Sequence, residues 1–493
     1  MVWFLGFRAA AVARLGGCSW VPGVRGGKDR LAPGAAEAKG LVAMSNVVDL
    51  LDQTFFAAER ATGTFNVLQC VWVYNREVDI ERLRQFHHHL QRGRLARRIE
   101  CSPLPFGRHR WVSSNGPTDL EIVAAPRPRE EFDTWVHEQA SAPLDAERGP
   151  EWRLAVHPFV GGGAGVSLAI SHCLTDAVGL CEAVADAACG RDEQISWPAA
   201  GSRRPWEAVR EDAGQAVRDI PSIARTVADA ARLARHRRSH PEAAAPRRTR
   251  SVAQLAAADR TVKFPAATIL VDAEEWDARA QSLGGTSNTL LAGLAVRLAQ
   301  RLGRVAADGS VTVGIPVSER TAGDTRANAV TKVDITVDPA SAATDLRQIR
   351  AATKKALIRR QQLPSEQSVL LPLVPLLPRW LVRRTVGAAA GNVSSNIGVV
   401  NPAACRPDGT DADHFAVTGF WGVSTSVMDR SGGYLGLLSG RTSAEVFVSV
   451  LAYQPGRSNS NDELRQDLSS TLSEFSLVGT MGWGCPEPVG GAR

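Results

Sequence analysis

Lysine is nearly missing from this chain: of 57 basic residues only six are Lys. Alanine and glycine abound beside arginine, a bias that follows coding composition rather than a function. Among eight cysteines (Cys18, Cys70, Cys101, Cys173, Cys181, Cys189, Cys405 and Cys485) there is no C-x-x-C pair. Their spacings suit neither a zinc site nor a small disulfide scaffold, which leaves free thiols in a reducing cytoplasm. No window approaches the ~20 unbroken apolar residues of a spanning helix. The nearest, "VLLPLVPLLPRWLV" (369–382), is broken by Pro372, Pro375 and Pro378. It reads as a buried segment with turns; covering a lipid tunnel or touching a membrane surface is the alternative.

A strong charge of one sign is also absent. The net charge is +6 over 493 residues. The basic residues gather in "RLARHRRSHPEAAAPRRTR" (232–250), among Ala and Pro and without interleaved aromatics, so the run reads as a solvated linker rather than a nucleic-acid patch. His87, His88 and His89 have no nearby carboxylate or thiol in sequence and read as a solvent-facing helix end, not a metal site. The first residues are unlike a secretory signal peptide. Residues 1–43 are expected to be a disordered leader or an over-extended start, with helical patterning from Met44.

What is present is an alternation of helix and strand patterns in two halves, an α+β class stated twice. The expected division is a leader (1–43), an N-terminal lobe (44–200), a basic Ala/Arg-rich linker (201–258), a C-terminal lobe (259–480) and a flexible tail (481–493). In the first half the strands "FNVLQCVWVY", "WRLAVHPFV" and "GVSLAISH" stand out, the last two joined by a Gly-rich hairpin. In the second, "TSNTLLAGLAVRLAQRLGRV" has the spacing of a buried helix.

Chemistry concentrates in "ISHCLTDAVG" (170–179). A strand ends in His172, and Asp176 follows four residues later, before a helical pattern. Histidine suits a general base because its unperturbed pKa of ~6.5 lies near working pH. On the residues alone, a satisfied buried histidine and an aspartate that caps a helix remain open. Strand alternation turns Cys173 away from the face of His172.

The segment from "SAPLDAERGPEWRLAVHPF" through "ISHCLTDAVGL" resembles the H-H-x-x-x-D-G region of the condensing acyltransferase superfamily. That superfamily includes wax ester synthase/diacylglycerol acyltransferases, polyketide-associated acyltransferases and nonribosomal-peptide condensation domains. "VVDLLDQTFFAAERATGTFNV", "GTSNTLLAGLAVRLAQRL", "VTVGIPVSERTAGDTRANAV" and "SSNIGVVNP" are similar to further segments of it, in the same order, from about 47 to 475. Three departures stand out: Ser171 replaces the first histidine of the pair, Ala177 the motif glycine, and Thr289 the Asp of an Asn-Asp pair. The stretch "NIGVVNP" also lacks the wax ester synthase prolines.

The resemblance implies two similar chloramphenicol-acetyltransferase-like lobes with an active-site tunnel between them. It implies His172 as general base, with Asp176 in an ion pair that anchors the loop, Arg320 being its expected partner. Asn288 and Asn396 are candidate oxyanion donors or tunnel residues, with ordinary capping as the alternative. Ser171, Trp421 and Gly422 are expected along the tunnel, where Trp421 can equally be packing. No metal and no bound cofactor is implied; acyl-CoA, or an acyl group on phosphopantetheine, is the co-substrate. The expected activity is transfer of the acyl group to a hydroxylated lipid, sugar or alcohol. Carrier-protein-dependent condensation to an ester or amide is the alternative, and a non-catalytic lipid-binding scaffold is the alternative of another class. A cytoplasmic monomer is expected, without nucleic acid, with peripheral contact at the inner face of the membrane left open.

Overall fold

The computed structural model describes residues 45–114, 119–191, 195–239, 261–262, 264–321, 323–362, 370–386 and 391–483. The expected leader, the end of the basic run and residues 484–493 lie outside the described residues.

Helix α1 (Leu50–Thr62) is capped by Asp49, whose side chain accepts from Leu51 N at 2.9 Å, and stopped by Gly63 at φ 69°. It leads into strand β1 (Phe65–Tyr74), whose β-branched and aromatic residues are buried from Val67 onward. Helix α2 (Ile80–Leu90) follows, then the small pair β2 (Arg97–Glu100) and β3 (Arg110–Ser113). Next come β4 (Glu121–Ile122), α3 (Phe132–Ser141), β5 (Trp152–Pro158) and β6 (Ala164–Ser171). The β5–β6 connection uses Gly161, Gly162 and Gly163, all at positive φ, where a side chain would be strained. Helix α4 (Ala177–Ala188) packs back toward α2.

Residues expected to be a linker instead carry the 35-residue helix α5 (Pro205–Ser239). After it come β7 (Thr261–Val262), β8 (Ala266–Asp272), α6 (Ala273–Ser282), α7 (Ser287–Arg301), β9 (Val311–Ser318), β10 (Val330–Val337) and α8 (Arg347–Gln362). A 3-10 turn (Leu371–Leu376) and α9 (Arg379–Val386) precede β11 (Asn392–Val399) and β12 (His414–Ser424). The chain closes with α10 (Thr425–Ser431), β13 (Tyr434–Arg441), β14 (Glu445–Tyr453), α11 (Asn461–Glu474) and β15 (Thr480–Met481).

Among the described residues these strands form two large sheets, ordered β4-β5-β6-β1-β12-β7 and β10-β9-β11-β13-β14-β8-β15. Each has helices packed against it and its own apolar core, so the chain is α+β in two similar lobes. The lobes are not separated by one cut in the sequence. Strand β12, deep in the second half, pairs antiparallel with β1 of the first, Phe65 opposite Gly422 and Val73 opposite His414. The expected tail is also shorter than 481–493: Trp483 is buried against Phe132, and its carbonyl accepts from Arg129 Nε at 2.9 Å.

Two local expectations change. His87 is buried against the ring of Trp152 rather than facing solvent, because α2 turns that face onto the first sheet. The apolar run 369–382 is not a buried segment: Val374 and Val382 are buried, but Leu376 and Trp380 are exposed.

Candidate active site

His172 sits one residue beyond β6, where the sheet ends. Its amide donates to the carbonyl of Asn66 on β1 at 2.9 Å, and Asn328 Nδ2 donates to its carbonyl at 3.1 Å. Backbone bonds to both halves of the chain thus fix where the ring starts. The ring lies 5.2 Å from that of Phe55 on α1, tilted by 34°. It lines a cavity of ≈ 200 Å³. Nδ1 is buried without a well-aligned partner. Burial lowers the imidazole to about 4, against weaker upward pulls from its own main-chain carbonyl, Asp176 and Asn328. At neutral pH the ring is therefore uncharged and able to accept a proton.

The cavity is walled by both lobes. Phe55, Asn66, Val67 and Leu68 face it from the first half, and Pro316, Lys332, Val393, Ser395, Leu437 and Leu451 from the second. Thr418 to Trp421 of β12 complete the wall. At one side Trp421 is stacked on Phe264 (5.5 Å) and set edge-on to Tyr434 (5.2 Å). The volume is below the ~300–1,000 Å³ of a site for a drug-sized ligand.

Asp176 lies at the N-terminus of α4. Its Oδ1 accepts from Gly179 N at 2.7 Å as a helix cap. Oδ2 accepts from Arg320 Nη2 at 2.7 Å and from Ala329 N at 2.9 Å, and Asp176 N donates to Ala327 O at 2.9 Å. Arg320 also donates to the carbonyls of Arg326 and Ala327. Gly179 is required by this packing, because a Cβ there would meet the guanidinium at 2.9 Å. The pair crosses from one lobe to the other with side chains only 11 % and 5 % exposed.

A second carboxylate holds the same segment. Asp52 of α1, wholly buried, accepts from Ala327 N (3.0 Å), Asn328 N (2.8 Å) and Asn328 Nδ2 (3.0 Å). Burial raises Asp52 to about 7. Residues 327–329 are thus clamped between Asp52 and Asp176, and Asn328 passes the constraint on to His172. Sequence reasoning missed Asp52, Asn328, Phe55 and Lys332. The signal was "RAN" (326–328), six residues beyond Arg320 of "PVSER", and Asp52 one turn before Phe55.

Asn288 and Asn396 are not brought to the cavity. Asn288 is exposed in the first turn of α7, where Thr286 is the cap and Thr289 Oγ1 accepts from Thr286 N at 2.6 Å. Thr289, in place of an aspartate, therefore does capping work. Asn396 points the other way from the cavity: β11 alternates, so Val393 and Ser395 face it while Asn396 Nδ2 donates to Ser287 Oγ at 3.2 Å. Ser171 is buried outside the cavity, its Oγ accepting from Cys173 N at 3.3 Å. Gly422 also lies outside it and admits the ring of Phe65, which a Cβ would meet at 2.2 Å. Trp421 does line the cavity. Cys173 is buried and its thiol contacts Glu59 Oε2 at 3.1 Å. Burial raises the thiol well above its ordinary range, so it stays protonated. Among the described residues no group of three or more His, Cys, Asp or Glu could hold a metal ion.

No family profile matches the chain, and no curated protein matches it in sequence. Solved structures do match. The first condensation domain of the CDA synthetase aligns with TM-score 0.53 at 12% identity, covering 88% of this chain and 97% of that one. The condensation domain from the Monacolin K polyketide synthase MokA aligns with TM-score 0.51 at 12% identity, with the same coverages. The wax ester synthase/diacylglycerol acyltransferase of Marinobacter aquaeolei VT8 reaches TM-score 0.49 at 15% identity over 87% of this chain and 100% of that one, too low to bear on the fold. The chain has the two-lobed, chloramphenicol-acetyltransferase-like fold of condensation domains.

Proposed function

We propose that the protein transfers an acyl group from a thioester to a hydroxyl acceptor, making a lipid or glycolipid ester, with His172 as general base. The observation that carries this reading is a neutral imidazole at the wall of a cavity that both lobes complete, braced by a buried ion pair between them. The acceptor oxygen attacks the thioester carbonyl carbon while its proton passes to the imidazole. The tetrahedral intermediate collapses, the C–S bond breaks, and the imidazolium returns the proton to the departing thiolate. Products are an ester and a free thiol, and no bond to the protein forms.

A positioned base of this kind contributes roughly 10²–10⁴-fold, and alignment of the two substrates adds to it. The oxyanion needs donors, and the cavity lining offers several, among them Asn66, Ser395, Thr418, Ser449 and the ammonium of Lys332. Asp176 and Arg320 act by position, not by proton transfer. One chain supplies every wall, so a monomer suffices, and the thioester is a co-substrate rather than a resident cofactor. Acyl-CoA is the first donor to test.

Purified protein mixed with acyl-CoA and a long-chain alcohol should release free CoA, and His172→Ala should lower that rate by roughly 10²–10⁴-fold with unchanged melting. Condensation domains among the similar structures support a second reading, an acyl group borne on a carrier protein. Turnover with acyl-phosphopantetheine on a carrier and none with any acyl-CoA would select it. No turnover from either donor would leave a lipid-binding scaffold.

A further inference from the structure

Helix α5 turns an apolar line toward solvent. Trp206, Val209, Val217, Ile220 and Val227 are between 42% and 64% exposed, and exposed Ala213 and Ala224 fill the gaps between them. Steps of three and four residues throughout place all seven on one face, a line roughly 32 Å long. The other side of the helix is already used: Ala208, Asp212 and Thr226 are buried, and Asp212 Oδ1 accepts from Arg110 Nε at 3.0 Å. Elsewhere among the described residues, exposed large apolar side chains stand one to an element or loop. The exceptions are Leu376, in the 3-10 turn that packs on α5, and Trp380 just beyond it. A contiguous apolar surface of this size marks an interaction face.

The edge of that line is basic. Arg210, Arg218, Arg225 and Arg232 recur every seven or eight residues, all exposed, and so fall along one border of it. Arg210 lies over the Trp206 ring, 5.3 Å from its centroid. The nearby acids are engaged elsewhere: Glu211 pairs with Arg110 and Arg203, and Glu207 accepts from Arg204 N. Asp229 is the exception, paired with Arg232 at the end of the row. Arg379 and Arg383 add exposed positive charge around Trp380.

We infer that α5 is an interfacial helix that seats the protein on an anionic lipid bilayer. Its apolar line enters the headgroup boundary, Trp206 anchors one end, and the arginines reach along its border to the lipid phosphates. A second copy of the chain fits less well, because its own arginine row would meet this one. This inference does not rest on the acyl-transfer reading. The seat is close to the cavity, since the 3-10 turn and α9 both pack on α1, which carries Phe55.

Flotation with vesicles tests it. The full chain should bind vesicles of phosphatidylglycerol and phosphatidylcholine, bind phosphatidylcholine alone far less, and be released by salt. Val217→Glu with Ile220→Glu changes only exposed residues, so the fold should persist while partition falls roughly ten-fold or more. Arg210→Gln, Arg218→Gln and Arg225→Gln should each lower it about five-fold. Wild-type protein that ignores anionic vesicles, or a double variant that binds them as well as wild type, overturns the inference. So does a double variant that merely converts a dimer to a monomer, which would make the stripe a protein interface.

Discussion

The core behind the His172 sheet and the core behind the second sheet are packed from different residues. Trp72, Trp111, Trp135 and Trp152 fill the first, with Phe55, Phe86, Phe132 and Phe415. The second is built from Leu, Val, Ile and Ala, with Trp276 and Phe475 as its large rings. The difference has a mechanical use. Arg97 lies over the Trp111 ring at 4.3 Å, and from there donates to the carbonyls of Leu174 and Thr325. Rigid aromatic packing in the first lobe thus holds a cation, and that cation holds both sides of the loop around His172. The aliphatic lobe supplies what the loop is tied to, Arg320 and residues 327–329. One lobe positions His172 and the other holds it in place.

The tie itself can be cut. Arg320→Ala leaves Asp176 buried without its cation and should cost about 3–5 kcal/mol, read as a lower midpoint in urea. A single cooperative transition is expected, because the first sheet needs β12. Two separate transitions would mean that the lobes are independent and the comparison above is wrong.

A smaller effect lies in the pH profile. Burial lowers His172 to about 4, so the proton-accepting form persists well below neutrality. Log kcat/KM should be level through the neutral range and fall by one unit per pH unit below about 4. A milder change at the tie, Arg320→Lys, should move that limb upward toward ~6.5 as the pocket loosens and hydrates. An unmoved limb would show that the tie serves stability alone.

The smallest effects are expected at Asn288 and Asn396. Exposed or turned from the cavity, either one replaced by Ala should change stability by less than ~0.5 kcal/mol and leave turnover nearly unaltered. A loss of the ~10²–10³-fold that follows removal of an oxyanion donor would put Asn396 back in the site.

Local signals carried much of this. His172 at a strand end, Asp176 as the cap of α4 and the apolar runs of β1, β5 and β6 are written within short windows of sequence. Parity was the harder problem. The polar Asn396 drew the eye, but in a strand its neighbour Ser395 takes the cavity face, and β11 shifts register between Asn396 and Val399. Asp52 reads only as one polar residue in an amphipathic helix until residues 327–328 arrive from across the chain. Helix α5 was hidden by composition: Gly214, Pro221 and abundant Arg suggested a linker. Yet its three-and-four spacing from Trp206 to Val227 was present, and weighing period above composition would have found it.

The pairing of β12 with β1 also sets a timetable for the nascent chain. Between Tyr74 and His414 the ribosome must add 340 residues, roughly 17–70 s at ~5–20 residues per second. Throughout that interval β1 waits with one open, strongly apolar edge, the kind of edge that invites pairing with the wrong chain. Overproduction in a host short of chaperones should therefore yield aggregates seeded by the first half, and slower growth temperatures alone would not shorten the wait.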